Sequence, residues 1–208
     1  MIARLAAADL RRVLHPLDGV PSARAWNVDE LDGLIAPDLA LQEAAVLVGL
    51  VRRESGLQAV LTRRTDTLRH HAGQVSFPGG RVEPGDHGPL QAALREASEE
   101  IGLPPTQVAP LGYLDPLATI TGYRVVPVVA MLDPEFEPVP DPGEVADVFE
   151  TPLDFLMAPE RLRRVDIEFG GRTRHVLEYE TPASGPAHRI WGVTASILLN
   201  LRMHLERL

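Results

Sequence analysis

The sequence predicts an α/β fold in which a mixed β-sheet is covered by helices on both faces. Three observations carry this expectation. Apolar runs of strand length alternate with segments of helical periodicity. Several runs come in pairs joined by short Gly-containing turns. No Pro/Gly-rich linker divides the 208 residues into two units, so a single domain spanning 1–208 is expected.

The elements follow in order. "MIARLAAADLRRVL" has apolar residues at helical spacing with charges between them, and it lacks the basic, apolar and cleavage regions of a signal peptide. A Pro/Gly/Asp-rich connector, roughly 15–41, follows, so that residues 1–40 form an N-terminal helix and connector. "AAVLVGLVRR" and "LQAVLTRR" flank "ESG" and read as two strands joined by a short loop. "GPLQAALREASEEIG" reads as a helix that begins at Pro89 and stops at Gly102. "APLGYLDPLAT" and "GYRVVPVVAML" read as two further strands, and the proline-rich "DPEFEPVPDPGEV" as an extended loop. "RRVDIEFGGRTRHVLEYE" reads as a hairpin about Gly170-Gly171. "WGVTASILLNLRMHLERL" closes the chain as an amphipathic helix expected to cover the core rather than form a dimer interface.

Composition limits the function. With 45% hydrophobic and 24% charged residues the chain is of ordinary globular type, and its longest apolar run, Ala44 to Val51, is far too short to cross a bilayer. There is no cysteine, which excludes disulfides, thiolate catalysis and Cys-based zinc sites, and a cytoplasmic location is expected. All 20 basic Lys/Arg side chains are Arg, and the net charge of −9 argues against nucleic-acid or anionic-membrane partners. A small anionic substrate is still compatible, because a local field can oppose the global one.

The chemistry concentrates in the helix after Pro89. Leu90, Ala93, Leu94, Ala97 and Ile101 form one apolar stripe, and Glu96, Glu99 and Glu100 are expected to share the opposite face. Like charges at these spacings repel one another. Three oxygen ligands suit a hard divalent cation such as Mg²⁺ or Mn²⁺, which would remove the repulsion and bridge to a phosphate oxygen. Arg95, four residues before Glu99, is placed to pair with it. Taken alone, "EASEE" would be a solvated helix face. Gly79-Gly80 ahead of it allows a turn and close approach of a ligand to main-chain N–H groups.

"GGRVEPGDHGPLQAALREASEEIGL" resembles the Nudix box. From Gly80, five residues lead to Asp86 where the family has Glu, and eight rather than seven residues then precede Arg95-Glu96-Ala97-Ser98-Glu99-Glu100-Ile101-Gly102-Leu103, which matches throughout. Both departures are familiar in the coenzyme A diphosphatase branch of the family. That branch also resembles the preceding "LTRRTDTLRHHAGQVSFPGG", with Leu61-Thr62-Arg63-Arg64, the Leu68–Gln74 core and Phe77-Pro78-Gly79-Gly80. The two stretches together cover 61–103, and looser likeness extends through "TGYRVVPVVA", "GEVADVFETPL" and "IWGVTASILLNL".

The resemblance implies a Nudix-type α/β/α sandwich and Mg²⁺- or Mn²⁺-dependent hydrolysis of the diphosphate in coenzyme A or a derivative. The expected products are 4′-phosphopantetheine and adenosine 3′,5′-bisphosphate. It implies Glu96, Glu99 and Glu100 as metal ligands, with Glu99 as first and Glu144 as second candidate for the base. Asp86 would brace the loop and Gly80 would let it close over the phosphates. Arg63, Arg64, Arg69, His70 and His71 would supply a local positive pole for the substrate, or some of them would pair with the acidic helix and shape the loop. His70 and His71, read as neighbours on a strand, would point to opposite faces and not share an ion. The alternatives are a Nudix hydrolase of another substrate, such as ADP-ribose or NADH, and a nucleotide-binding module without hydrolysis. A monomer or homodimer is expected.

Overall fold

Alternation along one long strand organises the molecule. β1 (Gln42–Arg53) is apolar almost throughout. Its even-numbered residues Ala44, Val48 and Leu50 enter one core cluster, and the odd-numbered Ala45, Leu47 and Val51 enter another on the opposite face. A strand buried on both faces needs cover on both sides, and helices provide it. In the computed structural model the described residues are 5–19, 22, 24–31, 34, 39–67, 71–169, 171–179 and 188–208, with the side chains of Phe169 and Arg172 not included.

β2 (Gly56–Arg64), β3 (Val75–Ser76), β4 (Gly79–Arg81), β5 (Val108–Tyr113), β6 (Leu117–Ala118), β7 (Tyr123–Leu132) and β8 (Val145–Pro152) join β1 in an eight-stranded mixed sheet. β7 runs parallel to β1 along its whole length. The other edge of β1 has two partners. Leu50 to Arg53 pair with β2, whereas Ala44 to Val46 pair with β4. β2 leaves β1 and continues against β3 and β8. The segment β3–β4 therefore crosses from one diverging strand to the other, anchored by the buried Phe77 and by Leu47 N–H donating to Pro78 O at 2.8 Å.

α2 (Pro89–Ile101) covers one face, through Ala93, Ala97 and Ile101. The other face receives α1 (Ala7–Val13), α3 (Leu153–Met157) and α4 (Gly192–Leu205), through Leu10, Leu156, Leu198 and Leu201. β9 (Leu162–Phe169) and β10 (Arg172–Tyr179) form a separate antiparallel hairpin packed on α4.

The expected architecture is present, and the strands on either side of "ESG" and the hairpin lie where the sequence places them. One strand differs. Ala109 to Thr119 is divided into β5 and β6, because Leu114 N–H turns to Pro127 O, Asp115 N–H donates to Asn200 Oδ1, and Pro116 has no N–H for a ladder. No helix among the described residues is long and apolar enough to cross a membrane.

Candidate active site

Helix ends and helix faces position the carboxylates. Pro89 opens α2, and Gly102 closes it in the left-handed region at φ 67°, with Leu103 N–H donating back to Ala97 O at 3.2 Å. The core-facing surface consists of two adjacent i+4 rows, Ala93-Ala97-Ile101 and Ala92-Glu96-Glu100. This corrects the expectation that the three glutamates share the outer face. Glu100 is only 3% exposed and Glu96 is half-buried along the sheet-side edge, whereas the Glu99 side chain is 59% exposed.

Two glycines make room for this. Gly79 N–H donates to Glu100 Oε2 at 3.2 Å. A Cβ on Gly79 would lie 2.3 Å from Ala45 O and 2.6 Å from Val46 Cα, inside the backbone of β1. A Cβ on Gly80 would lie 2.3 Å from Glu96 Oε1. Gly79 requires glycine because backbone occupies the space of a side chain, whereas at Gly80 a side chain would displace the Glu96 carboxylate.

Arg95 holds the outer side of the cluster. Its Nε and Nη2 donate to the two carboxylate oxygens of Asp86 at 3.2 and 3.1 Å. Its Nη1 donates to Glu96 Oε1 at 2.9 Å and Glu99 Oε2 at 3.1 Å, and Nη2 also reaches Arg81 O at 3.0 Å. These contacts engage all five guanidinium N–H groups. Asp86 is nearly buried, and its Oδ2 also accepts Glu83 N–H at 2.8 Å. The Arg95 hydrogen bonds hold its carboxyl below the usual carboxylate range, and Asp86 raises the Arg95 guanidinium above its own. Asp86 thus ties the 81–86 loop to α2.

Arg64 approaches from the other side. Val60 and Arg64 lie an even number of residues apart on the α2 face of β2, and Leu61 and Arg63 on the other. Arg64 Nη1 donates to Glu100 Oε1 at 3.3 Å, and its Nη2 lies 3.9 Å from Glu144 Oε2. Glu144 stands in the turn before β8, where its carbonyl accepts Thr65 N–H at 2.9 Å. Arg63 instead pairs with Asp66 at 2.9 Å. Arg69 and His70 lie outside the described residues. His71 occupies a bend at φ 58°, its Nδ1 2.9 Å from Gln74 Oε1, so the strand geometry expected there does not apply to it.

Burial pushes the Glu100 carboxyl up to about 7, against the opposing pull of Gly79 N–H and Arg64, with Glu96 and Glu144 adding to the rise. Burial also raises Glu96, although Arg95 opposes it. Carboxylates this crowded and this poorly hydrated are stable as anions only near positive charge. The donor set is all oxygen, from Glu96, Glu99 and Glu100, and it fits a hard divalent cation.

The Arg64–Glu100 ion pair matches the alternative that some of the basic residues pair with the acidic helix, although the sequence did not single out these two residues. The full engagement of Arg95 was not foreseen, because it depends on where the 81–86 loop returns.

The NUDIX domain family matches residues 41–170 of the chain. A Cronobacter sakazakii protein described as "Uncharacterized Nudix hydrolase NudL" is 42% identical over 166 residues, which are 79% of this chain and 83% of that protein. The Escherichia coli K12 protein of the same description is 40% identical over 167 residues, again 79% of this chain and 83% of the other. Among solved structures, the Nudix hydrolase RenU from M. smegmatis aligns with a TM-score of 0.47 at 26% identity, covering 54% of this chain and 71% of that one.

Proposed function

The chain belongs to the NUDIX domain family, whose hydrolases act on nucleoside diphosphate derivatives, and from that premise we propose that it cleaves the diphosphate of coenzyme A or a derivative. The products are 4′-phosphopantetheine and adenosine 3′,5′-bisphosphate. One observation carries the reading. The stretch 61–80, which resembles the coenzyme A branch, supplies both Arg64 and Gly79, which bond to the carboxylate of the buried Glu100. The motif thereby borders the carboxylate cluster. The whole chain, 1–208, acts as one domain, since Leu10 and Leu201 share a core cluster with β1 and β2.

In this reaction a water oxygen attacks one phosphorus, and the bond from that phosphorus to the bridging oxygen breaks. The bridging oxygen leaves with the other phosphate, and the proton of the water passes to a carboxylate. Glu96, Glu99 and Glu100 would hold Mg²⁺ or Mn²⁺, which would supply charge neutralisation at the phosphates and a more acidic water. Arg95, with its donors already engaged, positions Glu96 and Glu99 and does not touch substrate. Asp86 fixes Arg95. Glu99 is the first candidate to take the proton and Glu144 the second, placed beside the cluster by the Asp141–Glu144 turn. Arg63, Arg69 and His70 lie on the stretch assigned to the substrate phosphates, and Arg64 divides its donors between Glu100 and that side.

The test is incubation of the pure protein with coenzyme A and Mg²⁺ or Mn²⁺, with product separation and Glu99→Gln alongside. Adenosine 3′,5′-bisphosphate released by the parent and lost in the variant supports the proposal. Coenzyme A left intact under both metals overturns it and turns attention to ADP-ribose and NADH. If these too remain intact but bind, the protein is a nucleotide-binding module.

A further inference from the structure

A second group of metal-ligand side chains lies on elements that take no part in the carboxylate cluster. His15 follows α1, Asp115 lies in the turn between β5 and β6, and His204 lies in the last turn of α4. Asp115 Oδ1 is 2.7 Å from His15 Nε2, and its Oδ2 is 2.8 Å from His204 Nε2. One ligand atom from each of the three can be chosen so that all lie within 4.8 Å of one another.

The surroundings orient these groups. His15 is held by paired backbone hydrogen bonds with Tyr113, both 2.9 Å. Asn200 clamps Asp115 twice, accepting its backbone N–H at 3.1 Å and donating Nδ2–H to its Oδ2 at 3.0 Å. The His204 side chain is fully buried, and its Nδ1 is 2.6 Å from Val13 O. A carbonyl oxygen only accepts, so this Nδ1 carries a hydrogen. In the neutral ring the Nε2 lone pair then points at a carboxylate oxygen, a repulsive contact unless positive charge lies between them. An imidazole that donates Nδ1–H to a backbone carbonyl is also held as a metal-ligating histidine is held.

We propose that His15, Asp115 and His204 form a second metal site, which takes a borderline divalent ion such as Zn²⁺ and staples the N-terminal segment and the β5–β6 turn to α4. Two imidazoles and one carboxylate are a donor set for such an ion, unlike the all-carboxylate set beside α2. Ligands about a tetrahedral ion at zinc distances stand about 3.4 Å apart, so the Asp115 carboxylate and the half-exposed His15 ring draw back by a few tenths of an ångström from their hydrogen-bonding distances of 2.8 and 2.7 Å to admit the ion. That exposure leaves the fourth position to water.

The test is a Co²⁺ titration of the metal-stripped full-length protein, followed in the visible range. Four-coordinate Co²⁺ absorbs intensely, and six-coordinate Co²⁺ held by carboxylates and water only weakly. The expected result is an intense band that saturates near one equivalent and is displaced by Zn²⁺. It is retained in Glu99→Gln and lost in His15→Ala, a change at a half-exposed position. Zn²⁺ raises the Tm of the parent by several degrees and leaves that of His15→Ala where it was. A parent with no intense band and the same Zn²⁺ response as His15→Ala overturns the proposal, the three residues then being a hydrogen-bonded clamp. Neither readout depends on turnover, so failure here is distinct from failure of the coenzyme A assignment.

Discussion

Glu96 Oε1 occupies the space that a side chain on Gly80 would need, with only 2.3 Å between it and an ideal Cβ. The turn and the helix are therefore fitted to each other at the carboxylate itself. Gly80→Ala is expected to displace Glu96, weaken Mn²⁺ binding and lower kcat about 100-fold, while the fold is retained because the obstructing atoms end a side chain. Gly79→Ala meets the backbone of β1 instead and is expected to cost on the order of 3 kcal/mol of stability. Calorimetric Mn²⁺ titration and urea unfolding separate the two effects.

Arg95→Lys replaces five fixed donors with three on a point charge and leaves Asp86 poorly matched. The prediction is a fall in kcat of about 10- to 100-fold with KM little changed, since Arg95 has no donor left for substrate. Stability should fall by about 3 kcal/mol in Arg95→Ala, where the nearly buried Asp86 loses its partner. A KM effect larger than the kcat effect in Arg95→Lys would sink the positioning role.

Arg64 and Arg63 are adjacent but face different partners. Arg64→Ala is expected to loosen Glu100 and so weaken metal binding and lower kcat. Arg63→Ala, on the proposed substrate side, should chiefly raise KM, by about 10-fold. Steady-state kinetics at saturating and limiting Mn²⁺ would expose an inverted pattern.

Glu100, with its carboxyl pushed up to about 7, predicts a pH effect on the metal-free protein. Its folded-state value lies above the unfolded one, near 4.3, so the folded state binds the extra proton. Stability is then fully present below about 4.3 and declines as pH rises through 7, by at most about 4 kcal/mol. Glu100→Gln should remove this decline in urea unfolding across that range. An unchanged pH slope in the variant would refute the assignment.

Glu178 predicts the opposite sign. Burial raises its carboxyl, but Arg163 and Arg189 outweigh burial and hold it below its ordinary value. The stability it contributes is present above the unfolded value and is lost as pH falls through the lower folded one. Acid should therefore loosen the β9–β10 hairpin, and hydrogen exchange at β10 amides should rise at acid pH more than in β1.

Local patterning determined a good deal of this protein. The ends of α2 at Pro89 and Gly102, the buried run of β1, the pairing of β9 with β10 and the spacing of Glu96, Glu99 and Glu100 are properties of neighbouring residues, so the sequence displays them. Helical periodicity sets the angles between side chains but not which angle meets the sheet, so the burial of Glu100 awaited the β3–β4 crossing. Strand alternation separates Arg63 from Arg64 without saying which one faces α2. The full engagement of Arg95 required the 81–86 loop to return, and His15, Asp115 and His204 meet only because α1, the β5–β6 turn and α4 pack on one face. Tertiary structure decided these relationships, because each joins groups whose distance along the chain bears no relation to their distance in space.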